Sequence, residues 1–476
     1  MAPDGFHATA QAVDLDRAAL RELRASHAGE LIRPGDAGYD EQRRVWNGSI
    51  DRHPALIARC TGTRDVTAAV QFARRARLPL AVRSGGHSFP GLSVCDAGVV
   101  IDLGPMKRIQ VDPERRTATV EAGVLLGELD RATQPLGLAV PAGIVTHTGV
   151  AGLTLGGGIG WLMRKYGLTV DQLLAAEMVT AGGDVVRAPE SENPDLFWGL
   201  RGGGGNFGIV TEFEFRLNEL GPVVLAGPVF WPMKESPRLL RFYREWIADA
   251  PDELMTIVIH RMAPALPFIP AELHGEPVVA VVCCYAGPVE EGERVLRPLR
   301  NFARPVLDLC HPKPFLEHQA MFDPTFPHGR WYYMRACDVG ELTDEVIEIT
   351  FEHSMRIRSP LTAFPIWQMG GAVGRVGDDD SAFNGRRAGH TFNITAATES
   401  VEGFEEEREW VRGLWSALEP HHLDSVYVNF LMDEGDSRIR QAYGSARYER
   451  LASLKEKYDP DNLFRLNQNV RPGTAR

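Results

Sequence analysis

The sequence predicts an α+β fold: a mixed strand–helix region, then one large antiparallel sheet backed by helices, then a short tail that returns to the first region. Three observations predict it. From about Ser49 to Leu217, short apolar runs alternate with helical patterns. From about 221 to 425, longer strand patterns follow one another with few helices between them, which favours antiparallel pairing over crossover units. From Ser425 the chain reverts to tight turns and short elements. The expected units are therefore residues 1–220, 221–425 and 426–476.

The elements follow in order. ALIARC (55–60) reads as a strand, and RDVTAAVQFARRARL (64–78) as an amphipathic helix with Asp65 as its cap. PLAVRSGGH (79–87) is a strand running into a glycine turn. GVVIDL (98–103) and ATVEAG (118–123) are further strands, with a helix over VLLGELDRATQPLG (124–137). IVTEFEFRL (209–217) alternates with period two, as a half-buried strand does. In the middle region GPVVLAGPVFWP, DELMTIVIHRM, GEPVVAVVCCYAG, RWYYMRACDV, TAFPIWQMGGAV and TFNITAATE read as strands. Residues 342–357 and 401–418 read as amphipathic helices between them.

Composition excludes several classes. Hydrophobic residues make up 44% and charged residues 24%, the balance of a soluble chain able to bury a large core. The net charge is −12 without a block of like charges, which disfavours nucleic acid and anionic membranes as partners. The N-terminal stretch lacks the pattern of a secretory signal. The apolar run Leu138–Leu162 holds His147, threonines and repeated glycines, so it reads as buried, close-approaching backbone and not as a lipid-facing helix. None of the six cysteines forms a C-x-x-C pair. All read as reduced core thiols, with the cytoplasm as the default compartment.

Three glycine motifs carry the chemistry. In RSGGHS (Arg83–Ser88) adjacent glycines after a strand let backbone N–H groups converge on a pyrophosphate, with Arg83 adding charge and His87 projecting from a rigid turn. In TGVAGLTLGGGIGWL (148–162) the glycines suit either backbone lying against a flat rigid ligand or a closely packed turn. RGGGGNFGIV (201–210) satisfies G-x-G-x-x-G at Gly203, Gly205 and Gly208, but a helix precedes it and a strand follows. That is the reverse of the dinucleotide fingerprint's context, so an NAD-type site is disfavoured.

With these motifs in this order, followed by YERLASLKEKYDPDNLFRLNQNV, the chain resembles the FAD-linked oxidases of the vanillyl-alcohol-oxidase type fold, in the monocovalent bacterial part of the berberine-bridge-enzyme-like branch. The resemblance implies a two-part PCMH-type FAD-binding domain, split in sequence by a substrate domain. It implies FAD linked covalently through His87. Val145 stands where many relatives carry a second, cysteinyl link, so that link is not expected. The implied cofactor-binding residues are Arg83, Ser84, Gly85, Gly86, His87 and Ser88 in the first turn. The second segment supplies His147, Thr148, Gly149, Gly152, Leu153, Thr154, Gly157, Gly158, Gly160 and Trp161. Gly208 and Val210 follow, then Tyr427, Asn429, Asn467 and Asn469 in the tail. Thr148 falls where the family controls oxygen access to the flavin.

Hydride transfer to a flavin usually needs a base for the accompanying proton. Tyr427 is the first candidate for a base or substrate-orienting group and Tyr333 the second; only one of Tyr332 and Tyr333 can face the pocket. Gln368 orients a substrate but takes no proton, and His260 is a titratable alternative. AFPIWQMGGA lacks the carboxylate some relatives place there, leaving the base unassigned. No metal-spaced cluster and no nucleophile motif is visible in the sequence. The expected activity is oxidation of a small organic substrate, mildly favouring an aromatic or polyketide-like secondary metabolite over a sugar, with O2 as acceptor. An oxygenating or cyclising flavoenzyme is the alternative, and a flavin-holding protein without turnover a remoter one. The oligomeric state is unreadable.

Overall fold

The computed structural model describes residues 15–473, so part of the N-terminal stretch read above lies outside the described residues. The first region holds two sheets. One has four strands in the order Leu31–Ile32, Leu56–Arg59, Val99–Asp102, Leu80–Arg83, the last three parallel. The other is antiparallel, in the order Ile109–Asp112, Thr117–Glu121, Gly208–Arg216, Leu173–Thr180, Val185–Pro189. The helix Thr63–Ala76 starts one residue early, with Gly62 at its cap. Asp65 instead ties down the incoming chain, accepting from the backbone N–H groups of Thr61 and Ala28, each at 2.8 Å.

The middle region forms an eight-stranded sheet. Its main order is Leu307–Asp308, Val223–Pro232, Pro277–Tyr285, Leu254–Met262, Ala363–Gln368, His390–Thr398, Trp331–Val339, with His311–Pro314 pairing to Val223–Pro232. All its pairings are antiparallel. Side chains alternate across it as the pleat requires. Val258, Phe364, Ile366, Phe392 and Ile394 pack beneath helices that include Ser236–Ala248, Asp344–Ser354 and Phe404–Ala417. Ile257, Ile259, Ala363 and Trp367 point the other way, towards Trp161, Leu162 and Tyr427.

The tail is more helical than the sequence suggested. Its turns are broken by helices Asp436–Tyr443 and Ser445–Tyr458, the second of 14 residues. Glycines at both N-caps hid their starts. Val426, Val428, Tyr443, Leu451 and Phe464 share one hydrophobic core with strands of the first region. The buried Lys455 ammonium fixes this return: it donates to the backbone carbonyls of Asn206 (2.9 Å) and Phe464 (2.8 Å) and pairs with the buried Asp459 at 2.7 Å. All six cysteines are free and buried. Among the described residues no helix is long and apolar enough to cross a membrane.

Burial sets a pH dependence. Desolvation pulls His260 and His318 down to about 3 and His390 down to about 4. Each is neutral when folded and gains its proton on unfolding. Its contribution is fully present above about pH 6.5 and is lost as the pH falls towards those folded values. Asp130, raised by burial to about 7, and Asp338, raised by burial to about 6, act in the opposite sense. The partly exposed His422, held near 4 chiefly by desolvation, adds to the majority. Thermal melts should therefore give a lower Tm at pH 5 than at pH 7.5. A Tm that rises over that interval contradicts this balance.

Candidate active site

The site is built where two backbone turns touch. The strand Leu80–Arg83 delivers the turn Ser84–Ser88, and Val145–Gly149 leads into the short helix Val150–Leu155. A Cβ on Gly85 would collide with the backbone nitrogen of Gly149, and one on Gly149 would collide with the Gly85 nitrogen and the Ser84 hydroxyl. Only glycine at both positions allows this approach. It sets His87 beside the second turn: His87 Nε2 lies 2.7 Å from His147 Nδ1, and Thr148 Oγ1 is 3.5 Å from His87 Nδ1.

Behind His87 stands Trp46, its ring stacked at 5.0 Å and 17° and stacked in turn on Tyr332 at 3.8 Å. Asn47 locks this wedge to the large sheet, donating from Nδ2 to the carbonyls of Phe89 (2.7 Å) and Tyr332 (3.0 Å). His328 completes a cluster in which ligand atoms of His87, His147 and His328 lie within 4.8 Å of one another. The sequence showed no such grouping, because the three residues come from three distant turns. Desolvation, then the neighbouring His147 and His328, hold His87 well below the usual histidine range, so its ring is neutral.

These groups open onto a cavity of about 370 Å³. Of the residues singled out in the sequence, Ser84, Gly86, His87, Ser88, Thr148, Gly149, Gly152, Leu153, Gly208, Val210, Tyr427, Asn429 and Asn467 line it. Val145 also lines it, and none of the described cysteines does. Tyr427 is buried; its hydroxyl accepts from the Gly158 N–H (3.1 Å) and from Asn429 Nδ2 (2.9 Å), and burial raises its pKa.

Other expectations need correction. Arg83 does not reach the cavity with free charge: its guanidinium binds Asp102 through Nε (3.2 Å) and Nη2 (2.9 Å) and the Gln42 carbonyl through Nη1. Gly85 serves backbone contact rather than a ligand. His147, Thr154, Gly157, Gly158, Gly160, Trp161 and Asn469 lie outside the lining, His147 meeting the site through His87. The glycines among them answer to tight packing, a Cβ meeting Phe383 at Gly157, Thr169 at Gly158 and the Ala142 carbonyl at Gly160. Trp161 packs on His318 and Phe322. Tyr333 faces the helices, under Arg408 and Arg412, while Tyr332 takes the site side of the sheet. Gln368 and His260 share that helix-covered face. Gln368 accepts from Thr256 (2.9 Å), and His260 contacts the Ser236 hydroxyl at 2.7 Å.

The comparisons bear directly on this site. Residues 54–189 match the FAD binding domain family, and residues 426–471 match the family described as berberine and berberine like. An FAD-linked oxidoreductase of Dictyostelium discoideum is 32% identical over 95% of this chain and 97% of its own length. The chain belongs to the berberine-bridge-enzyme-like FAD-linked oxidoreductases.

The (R)-6-hydroxynicotine oxidase of Paenarthrobacter nicotinovorans is 31% identical to this family member over 93% of the chain and 97% of its own length. The crystal structure of 6-hydroxy-D-nicotine oxidase from Arthrobacter nicotinovorans superposes with a TM-score of 0.85 at 30% identity, covering 94% of this chain and 98% of that one. Physcomitrella patens BBE-like 1 shares the fold, with a TM-score of 0.86 over 96% and 100% of the two chains at 22% identity.

The cofactor of this family is FAD, and the cavity fits it. A Cβ at Gly152 or Gly205, both on the lining, would meet no protein atom within 4 Å, so bare backbone faces open space there. Asn467 Oδ1 is buried without a partner, an acceptor left for a ligand's donor. Substitution should separate the two kinds of glycine. Gly85→Ala should lower the Tm by several degrees and strip flavin, because backbone must move. Gly152→Ala should keep the Tm of the flavin-free protein and weaken only FAD retention. Equal behaviour of the two variants in melts and flavin absorbance would contradict this division.

Proposed function

We propose that the protein oxidises a small organic substrate with FAD attached covalently through His87, and passes the electrons to O2. The observation that carries this reading is the His87–His147 contact at the cavity wall. With Nε2 donating to His147, the Nδ1 lone pair of the neutral His87 ring is free for bond formation. Attachment at Nδ1 would replace one hydrogen of the flavin 8α-methyl, a two-electron oxidation whose electrons would end on O2, and His147 is positioned to take the proton that His87 Nε2 would then give up. Bound FAD supplies a hydride acceptor.

Tyr427 is the substrate- or ring-orienting group in this reading. Burial outweighs the two donors at its oxygen and keeps the hydroxyl protonated, so it offers its own proton and is poorly suited to remove another's. Among the described residues no Asp or Glu lines the cavity, which leaves the proton of the oxidised group to a substrate that releases it readily. Trp367, Phe322, Phe326 and Phe430 supply an apolar wall and support an aromatic or polyketide-like substrate over a sugar. Thr148, beside His87, is small enough to leave the flavin open to oxygen.

The test is acid precipitation of purified wild type and His87→Ala, paired with oxygen uptake on a panel of aromatic amines, alcohols and phenols. Flavin absorbance should stay with the wild-type pellet and be absent from that of the variant. At least one compound should bleach the flavin anaerobically and drive peroxide formation in air. Flavin released from wild type by acid would remove the covalent link, and a colourless protein that cannot be loaded with FAD would remove the reading itself.

A further inference from the structure

Arg261 lies on the site face of the large sheet, in line with Ile257 and Ile259 along the strand Leu254–Met262. Its neighbour across the ladder is Ala363, as Trp367 is the neighbour of Ile257. Among the described residues it is the one Arg, Lys, Asp or Glu that lines the cavity, and it is 7% exposed. Among the described residues it has no ion-pair partner. Nε donates to the Met262 carbonyl at 3.1 Å and Nη2 to the Pro360 carbonyl at 3.4 Å, while Nη1 donates to none of the described residues. Burial and the nearby Arg330 pull its pKa down to about 10, and no carboxylate opposes them. Arg330 itself is neutralised by Glu399 on the surface.

A buried cation without a counter-charge is costly, and proteins keep one where a ligand supplies the anion. The position of Arg261 says which ligand. Trp367 packs near Phe430, which packs on Tyr427. Arg261 lies four residues further along the strand pair, about 13 Å away. It is on the substrate-facing sheet and not on the glycine turns that suit phosphate. Asn393, also on the lining, has its Oδ1 occupied by the Thr395 hydroxyl and its Nδ2 free to donate.

We propose that Arg261 is an anion-binding subsite and that the substrate carries a carboxylate on an apolar, aromatic body. The guanidinium would hold the carboxylate through Nη1 while the apolar wall around Trp367 holds the ring system towards the flavin. This rests on the proposed function, since it names what that cavity takes.

The experiment is isothermal titration calorimetry of the flavin-bearing protein with 2-naphthoate and its uncharged counterpart 2-naphthamide, in wild type, Arg261→Met and Arg261→Lys. Wild type should prefer the carboxylate by about 30-fold or more, the scale of one desolvated charge pair. Arg261→Met should abolish the preference and Arg261→Lys should retain part of it. Equal affinities in wild type, no heat with 2-naphthoate, or an unchanged preference in Arg261→Met would overturn the proposal. So would an Arg261→Met protein that emerges without flavin, for the guanidinium would then serve the cofactor or the fold. A colourless wild type would count against the functional reading instead.

Discussion

The backbone contact between Gly85 and Gly149 is the constraint on which the site depends. Each glycine occupies the space a side chain of the other would need, so the turn after Leu80–Arg83 and the turn before Val150–Leu155 close on one another. Everything chemical near His87 follows from that closure. His147 and Thr148 are adjacent in sequence to Gly149 and are carried to the His87 ring with it. The buried Arg83–Asp102 pair braces the same turn from behind. The Arg83 charge thus holds the loop in place instead of facing the cavity.

The second constraint is the pleat of the eight-stranded sheet. One register decides which residues of each strand meet the cofactor side and which meet the helices. It sends Ile257, Ile259 and Arg261 into the cavity, and Thr256, His260, Tyr333 and Gln368 to the opposite face. A one-residue slip would exchange these sets completely. Among the described residues the sheet side of the cavity is therefore mostly apolar with one charged side chain, Arg261, and the polar network of Tyr243, Thr256 and Gln368 lies on the other face, out of reach of any substrate.

Much of this was legible in the residues. Apolar runs bounded by turns located the strands, and the texture change near 221 marked the start of the large sheet. The glycine motifs marked segments that reach the cavity, although only some of their glycines line it. What could not be read was pairing at a distance. Nothing in RSGGHS says that Gly85 meets Gly149, and nothing in GLTLGGGIGWL separates Gly152, which faces open space, from Gly158, which packs on Thr169. Two adjacent tyrosines, Tyr332 and Tyr333, offered no clue to which would face the site. Trp46 and His328 sit in irregular turns with no periodicity to flag them, and nothing in DELMTIVIHRM marks Arg261 as a buried cation in a cavity.

The central claim is that His87 carries the flavin, and peptide mass spectrometry of the trypsin-digested protein tests it most directly. Cleavage after Arg83 and Lys107 releases one peptide, Ser84–Lys107, with His87 as its sole histidine. The account predicts that this peptide is heavier by one FAD less the two hydrogens lost in forming the bond, and that its fragmentation places the added mass on His87. An unmodified Ser84–Lys107 peptide from protein that is visibly yellow, or flavin mass on any other peptide, would contradict it.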